Sequence, residues 1–181
     1  MLSLKKLTEN EEINQFVSVR AQNLGAPVSM EYLAQASIYA VHRHATPDLW
    51  LGGFVVSAER KRYLEVVPAC ELQRLESEMI PPNETVEISC IWKNTFNEPS
   101  AGEIAQMYLH ALMEAFRSGK EYILGGTIDE RIRRIQMTVF RNLLYHGNVD
   151  LQDESHQAWL YYCRREEVFE GFMRYTRIFV R

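Results

Sequence analysis

The sequence predicts a single α/β domain, residues 1–181, built on a mixed β-sheet flanked by helices. Three observations carry that prediction. The strand-like run 86–92 is followed by an amphipathic helical segment, 103–118, and then by an apolar run, 121–127. Strand, helix and strand in that order normally make a parallel crossover. Strand-like segments lie on both sides of this unit, which makes the sheet mixed. The chain is 181 residues long, 46% hydrophobic and 24% charged, and shows no linker and no internal repeat, so one globular core is expected.

The elements follow in order. Residues 2–7 read as a first strand, and Thr8 or Asn10 caps a helix over 11–24 whose Ile13, Phe16, Val17 and Leu24 share one face. Gly25-Ala26-Pro27 ends it, and Ser29 caps a second helical segment, MEYLAQASIYAV, over 30–41. Residues 50–57 are a strand containing Gly52-Gly53, which marks a bulge or a close backbone approach. The charged stretch 58–62 turns the chain, and 63–67 is read as the returning strand of a hairpin. A short helix over 69–79 and a turn at PPNE lead into strand 86–92. In helix 103–118, Ile104, Met107, Tyr108, Ala111, Leu112, Ala115 and Phe116 fall on one face, and Gly119 suits its end. After strand 121–127, Asp129 caps a helix over 130–145. Strands over 148–152 and 158–164, a connection, and a last strand over 174–181 complete the chain; that terminal strand could pair across a homodimer.

Charge and composition exclude several classes. A net charge of −4 gives no drive toward nucleic acid. No apolar run approaches the roughly eighteen residues of a membrane helix, and the acidic start argues against a signal peptide. Three widely spaced cysteines, Cys70, Cys90 and Cys163, form neither a disulfide framework nor a zinc site and fit a reducing cytoplasm. His42 and His44 lack carboxylates at ligand spacing, so no metal is expected. Neither GxSxG, nor a P-loop, nor GxGxxG is present. All nine basic residues of 131–181 are arginines, with Arg131, Arg133, Arg134 and Arg141 on one predicted helix. They suit carrier phosphates or an acidic carrier protein, or else form a solvated face.

Strand 86–92 carries a carboxylate in its middle. Strict alternation places Val86, Ile88, Cys90 and Trp92 on one face and Glu87, Ser89 and Ile91 on the other. Glu87 is therefore either a solvent-facing residue or a functional one.

The element order resembles the GCN5-related N-acyltransferase (GNAT) fold. The stretch LGGFVVSAERKRYLEVVP followed by VEISCIWKN resembles the autoinducer-synthase-like branch, which includes N-acyl amino acid synthases. Glu87-Ile88-Ser89 matches that branch's Glu-x-Ser-Arg, and Cys90 stands where the motif carries arginine. The resemblance covers roughly residues 45–145 and implies acyl transfer from a thioester, acyl-CoA or acyl carrier protein, to an amine.

It implies roles residue by residue. Glu87 would take the amine's proton, with Ser89 and Gly126 beside the substrate. Backbone N–H groups of Trp92, Lys93 and Asn94 would polarise the thioester carbonyl. The helix start at Ser100, Ala101, Gly102 and Glu103 would meet the carrier's pyrophosphate, as helix N-termini do. Tyr145, at the end of helix 130–145, would protonate the leaving thiolate; His146 could do the same, and simple packing is the other reading. The alternative to an enzyme is a non-catalytic binding or regulatory module of the same fold. An enzyme needs an open cleft with Glu87 pointing into it, whereas a module could have the cleft filled by Trp92, Phe96 or Tyr108.

Overall fold

The computed structural model describes residues 2–24, 28–78, 80–151 and 154–179. Seven strands form one sheet: β1 (Leu2–Leu7), β2 (Ser37–Arg43), β3 (Thr46–Ser57), β4 (Thr85–Lys93), β5 (Tyr122–Thr127), β6 (Asn142–Leu151) and β7 (Glu154–Arg164), in spatial order β1-β2-β3-β4-β5-β7-β6. The helices are α1 (Asn10–Leu24), α2 (Met30–Leu33), α3 (Arg62–Glu65), α4 (Ala69–Glu78), α5 (Ala101–Arg117), α6 (Glu130–Val139) and α7 (Val168–Phe179). Only β4 and β5 pair in parallel, joined through α5 as expected; every other neighbouring pair is antiparallel.

Two layers of helix sandwich the sheet. On one face, Ala105, Met107, Ala111 and Leu112 of α5, with Val139 and Tyr175, pack on Phe54, Val86, Ile88, Ile123 and Tyr161. On the other, Phe16 of α1 and Tyr32 and Leu33 of α2 cover Ile38, Val55 and Trp92, while Val67 lies near Leu124, Leu144 and Leu160.

Four expected elements change. The helix expected over 30–41 stops at Leu33, and residues 37–43 form β2. Ile38, Tyr39, Ala40 and Val41 sit between β1 and β3 and are buried on both faces, so they show no alternation that would have marked a strand. The returning strand at 63–67 is α3 instead; β3 takes β2 and β4 as partners, and the Tyr63 N–H donates to Glu87 rather than to a ladder. The helix expected to reach residue 145 ends at Val139, with Phe140 extended, so Tyr145 lies within β6 and pairs with Leu160 of β7. The terminal strand is the helix α7, whose Val168, Phe172 and Tyr175 turn inward at helical spacing. The strand pairing that suggested a homodimer therefore has no strand to use. The end of α1 at 25–27, Met79, Gln152 and the last two residues lie outside the described residues.

Alternation in β4 also breaks. Gly53 opposes Trp92, but Val55 opposes Ser89, so Cys90 and Ile91 together face Phe54. This is a β-bulge, and Cys90 within it has φ of +53°. Beyond the bulge the faces exchange: Ile91 packs on the α5 side, while Cys90 and Trp92 pack on the α1 side.

Candidate active site

The parallel pairing of β4 and β5 lasts only from Thr85 to Glu87 opposite Tyr122 to Leu124. Past that point the strands part, and a cleft of about 350 Å³ opens between Cys90-Ile91 and Gly126–Asp129. Its walls are mainly apolar, with Tyr63, Tyr108, Ile132 and Leu160, and they include the guanidinium-bearing Arg20 and Arg62. A recess of about 20 Å³ continues beneath Gly125 between α5 and α6 and is bounded by Phe140; it shares Ile91, Tyr108 and Gln136 with the cleft. Gly125 and Gly126 allow this closeness, because a β-carbon would stand 2.8 Å from the Phe140 ring at the first and 2.6 Å from Leu160 at the second.

Glu87 is fully buried, which rules out the solvent-facing reading. It does not line the cleft either: the Tyr63 N–H donates to its Oε2 at 2.7 Å, and the Tyr32 hydroxyl donates to its Oε1 at 2.8 Å. Burial pushes its carboxyl up from 4.5 to about 7, against the opposing pull of these hydrogen bonds and of Arg62. The contact with the cleft is indirect. Tyr32 Oη lies 2.6 Å from Ser89 Oγ, which lies 3.7 Å from Cys90 Sγ on the cleft wall. Arg62 Nη1 donates to the same sulfur at 3.4 Å. Thus the position at which the resembling motif carries arginine holds a thiol, and a guanidinium reaches it from α3. Burial and the neighbouring Glu87 drive the Tyr32 phenol far above its ordinary value, so it stays a hydrogen donor.

Gln136 is a further polar residue of the cleft. It is 8% exposed, and its Nε2 donates to the Gly126 carbonyl at 3.0 Å. A carbonyl only accepts, which fixes the amide orientation and leaves Oε1 buried with no hydrogen-bond partner.

The remaining expected residues divide between the cleft and its surroundings. Gly126 lines the cleft and Ser89 stands behind Cys90. Trp92 packs edge-on against Phe16 and is 2% exposed, so its side chain belongs to the α1-side core. Lys93 pairs with Glu98. The Asn94 N–H donates to Leu51 O at 2.8 Å, and its side chain organises the loop through the N–H groups of Phe96 and Asn97. Tyr145 is buried in a separate cluster with its hydroxyl donating to Asn148 O at 2.9 Å. Phe96 is exposed and fills nothing, and the cleft stays open beside Tyr108.

The start of α5 is already neutralised. Ser100 and Glu103 form a reciprocal capping box, and Arg43 grips the Glu103 carboxylate at 2.7 and 3.0 Å. Arg43 and Ser100 hold that carboxyl down at about 2. None of Ser100, Ala101, Gly102 or Glu103 lines the cleft. Of the arginines on α6, Arg133 pairs with Glu130 and lies over Trp159, while Arg141, beyond the helix, pairs with Glu170.

Tyr32, Arg62, Cys90 and Gln136 did not stand out as site residues from sequence. Gln136 left a readable trace, since it sits four residues after Ile132 on the apolar face of α6. Tyr32 left none, because its role depends on a contact 55 residues away.

No protein-family model matches the chain, and no curated protein matches it by sequence. Solved structures do. FeeM, an N-acyl amino acid synthase from uncultured soil microbes, superposes with a TM-score of 0.70 at 10% identity, covering 94% of each chain. YncA, a putative acetyltransferase from Salmonella typhimurium solved with acetyl-CoA, gives 0.58 at 11% identity over 92% of this chain and 95% of its own. A Bacillus subtilis acetyltransferase in complex with CoA gives 0.54 at 16% identity over 91% and 99%. The chain has the fold of the GNAT acyltransferases.

Proposed function

We propose that the chain is an N-acyltransferase that moves an acyl group from a thioester donor, acyl-CoA or acyl carrier protein, to a small amine in the cleft between β4 and β5. The observation that carries this reading is the parted pair of strands with a buried carboxylate wired to the cleft wall through Tyr32 and Ser89. An ammonium is not a nucleophile, so acyl transfer to an amine needs a proton acceptor close to neutral pH. Glu87 supplies it through the hydroxyl chain. Gly126 and the thin wall it allows bring the substrate against β5. The donor's arm runs along Trp92, Lys93 and Asn94 toward the start of α5, where Ser100 and Glu103 leave the N–H groups of Ala101 and Gly102 for the carrier. Tyr145 does not line the cleft, although Val149 and Leu151 of the same strand do, and its proposed part as acid requires the leaving thiolate to reach past them.

Arg62 makes no ion pair among the described residues and lies on an otherwise largely apolar wall. That favours an acceptor bearing a carboxylate, as in the product class for which FeeM is named. Three free thiols, two of them buried, suit a reducing compartment such as the cytoplasm. No helix among the described residues is long and apolar enough to cross a membrane.

The test is amide formation. Purified protein is incubated with acetyl-CoA, a long-chain acyl-CoA or an acylated carrier protein, together with a panel of amino acids and plain amines, and products are read by mass spectrometry. The expected result is amide from at least one donor, reduced on the order of a hundredfold in Glu87→Gln. Saturable donor binding without any amide would support the non-catalytic module instead, a reading favoured by the self-capped start of α5.

A further inference from the structure

We propose that Cys90 is a transient acyl carrier: its thiol takes the acyl group from the donor thioester and hands it to the amine. This rests on the acyl-transfer reading above and adds a covalent step to it.

Cys90 is the nucleophile on the cleft wall, 5% exposed, and it is held in a left-handed conformation that non-glycine residues seldom adopt. The bulge turns its side chain to the α1 side, where two groups converge on the sulfur: the Arg62 guanidinium at 3.4 Å and the Ser89 hydroxyl at 3.7 Å. The guanidinium can pair with the negative charge that gathers on sulfur as it attacks. Donor counting then sets the direction of the chain. The one proton of Tyr32 goes to Glu87, and the Ser89 hydroxyl donates to the Cys90 sulfur; for the thiol to give up its proton, the Ser89 hydroxyl turns to donate to Tyr32 and accepts from Cys90. Thiol, two hydroxyls and carboxylate form a continuous path from the cleft to a buried acceptor.

An independent observation points to a ligand in the same cleft. Gln136 Oε1 is an acceptor on a residue more than nine-tenths buried, with its partner unassigned, and the residue lines the cleft opposite the bulge. Oε1 lies below the accessible surface, so a bound amine N–H would satisfy it once the amide turns toward the cleft. Cys90 would then hold the acyl group and Gln136 the incoming nitrogen.

The steps balance. Sulfur of Cys90 attacks the donor carbonyl as its proton passes through Ser89 and Tyr32 to Glu87. The carbon–sulfur bond to the carrier breaks, and the carrier leaves as thiol after taking one proton back. The amine then attacks the Cys90 thioester, an amide forms, and the Cys90 thiol is restored with the amine's proton.

The test uses the full chain and an acyl-CoA without amine, with rapid quench and intact-mass analysis. One acyl group, labile to hydroxylamine, is expected on Cys90 and should disappear when amine is added; steady-state lines should be parallel. Cys70→Ser and Cys163→Ser should keep the adduct, and Cys90→Ala should lose it along with most turnover. Cys90→Ser should give an acyl-enzyme that amine removes far more slowly. Tyr32→Phe, which interrupts the path, should slow acylation on the order of ten- to a hundredfold. If wild type makes amide and a folded Cys90→Ala matches its rate, the covalent step is refuted while acyl transfer stands. If no donor yields amide or adduct, both fall.

Discussion

Replacing Glu87 with glutamine tests the electrostatics of the site without reference to any substrate. The wild-type carboxyl is fully buried and is pushed from 4.5 to about 7 by desolvation. The groups that face it are Tyr32 from α2, Tyr63 and Arg62 from α3, and Ser89 from β4, with Lys61 close enough to feel its charge. Between pH 4.5 and about 7 the folded protein keeps a proton that the unfolded chain has released. Stability must therefore fall as pH rises through that window, and the full loss is reached above it. From pH 5 to pH 8 this linkage amounts to about 2.5 kcal/mol. Glutamine keeps the volume and cannot ionise. Its amide oxygen can accept from the Tyr63 N–H while its NH2 donates to the Tyr32 hydroxyl, so any remaining cost is the same at every pH and the pH-dependent part vanishes. Urea denaturation of both proteins at half-unit steps from pH 5 to 8 reads the difference, and other titrating groups cancel in the subtraction. A wild-type curve that steepens relative to Glu87→Gln by about 2–3 kcal/mol is the expected result. Parallel curves would refute the reasoning, because Glu87 would then be an ordinary ionised carboxylate with no proton to release near neutrality.

Four further outcomes follow from the packing and the charges. Gly53→Ala puts a β-carbon 2.6 Å from the Tyr39 carbonyl and 2.8 Å from the Phe16 ring; it should cost about 1–3 kcal/mol, read from the urea midpoint, and a neutral result would mean that α1 does not pack there. Ser100→Ala removes the α5 cap and should cost about 1 kcal/mol in thermal melts. The Glu103 carboxyl, held at about 2, contributes stability above pH 4.5 that is lost as pH falls toward 2, so Arg43→Ala should blunt the acid limb of the stability curve. Phe140→Ala opens the recess beneath Gly125 and should shift donor preference toward longer acyl chains at a stability cost of about 3–5 kcal/mol; competition between acetyl- and octanoyl-CoA checks it, and an unchanged preference would place the acyl chain elsewhere.

The sequence by itself determined the parts whose signal is local. Helix α5 announced itself through one apolar stripe, and β4 and β5 through short apolar runs on either side of it, so the parallel unit that makes the cleft was legible. The oddity of a carboxylate within β4 was legible too. Its setting was not. Ile38–Val41 and 142–147 carry no period of their own, because tertiary burial on both faces of β2, and pairing with β7 in β6, decided their state. The bulge at Cys90 reversed the faces of β4, and only the register against β3 reveals it. Tyr32, Arg62 and Gln136 come from three helices distant in sequence, and each gains its meaning from a partner on β4 or β5. Sequence periodicity reports which way a side chain points along its own element; what it meets across the cleft is set by how the elements pack.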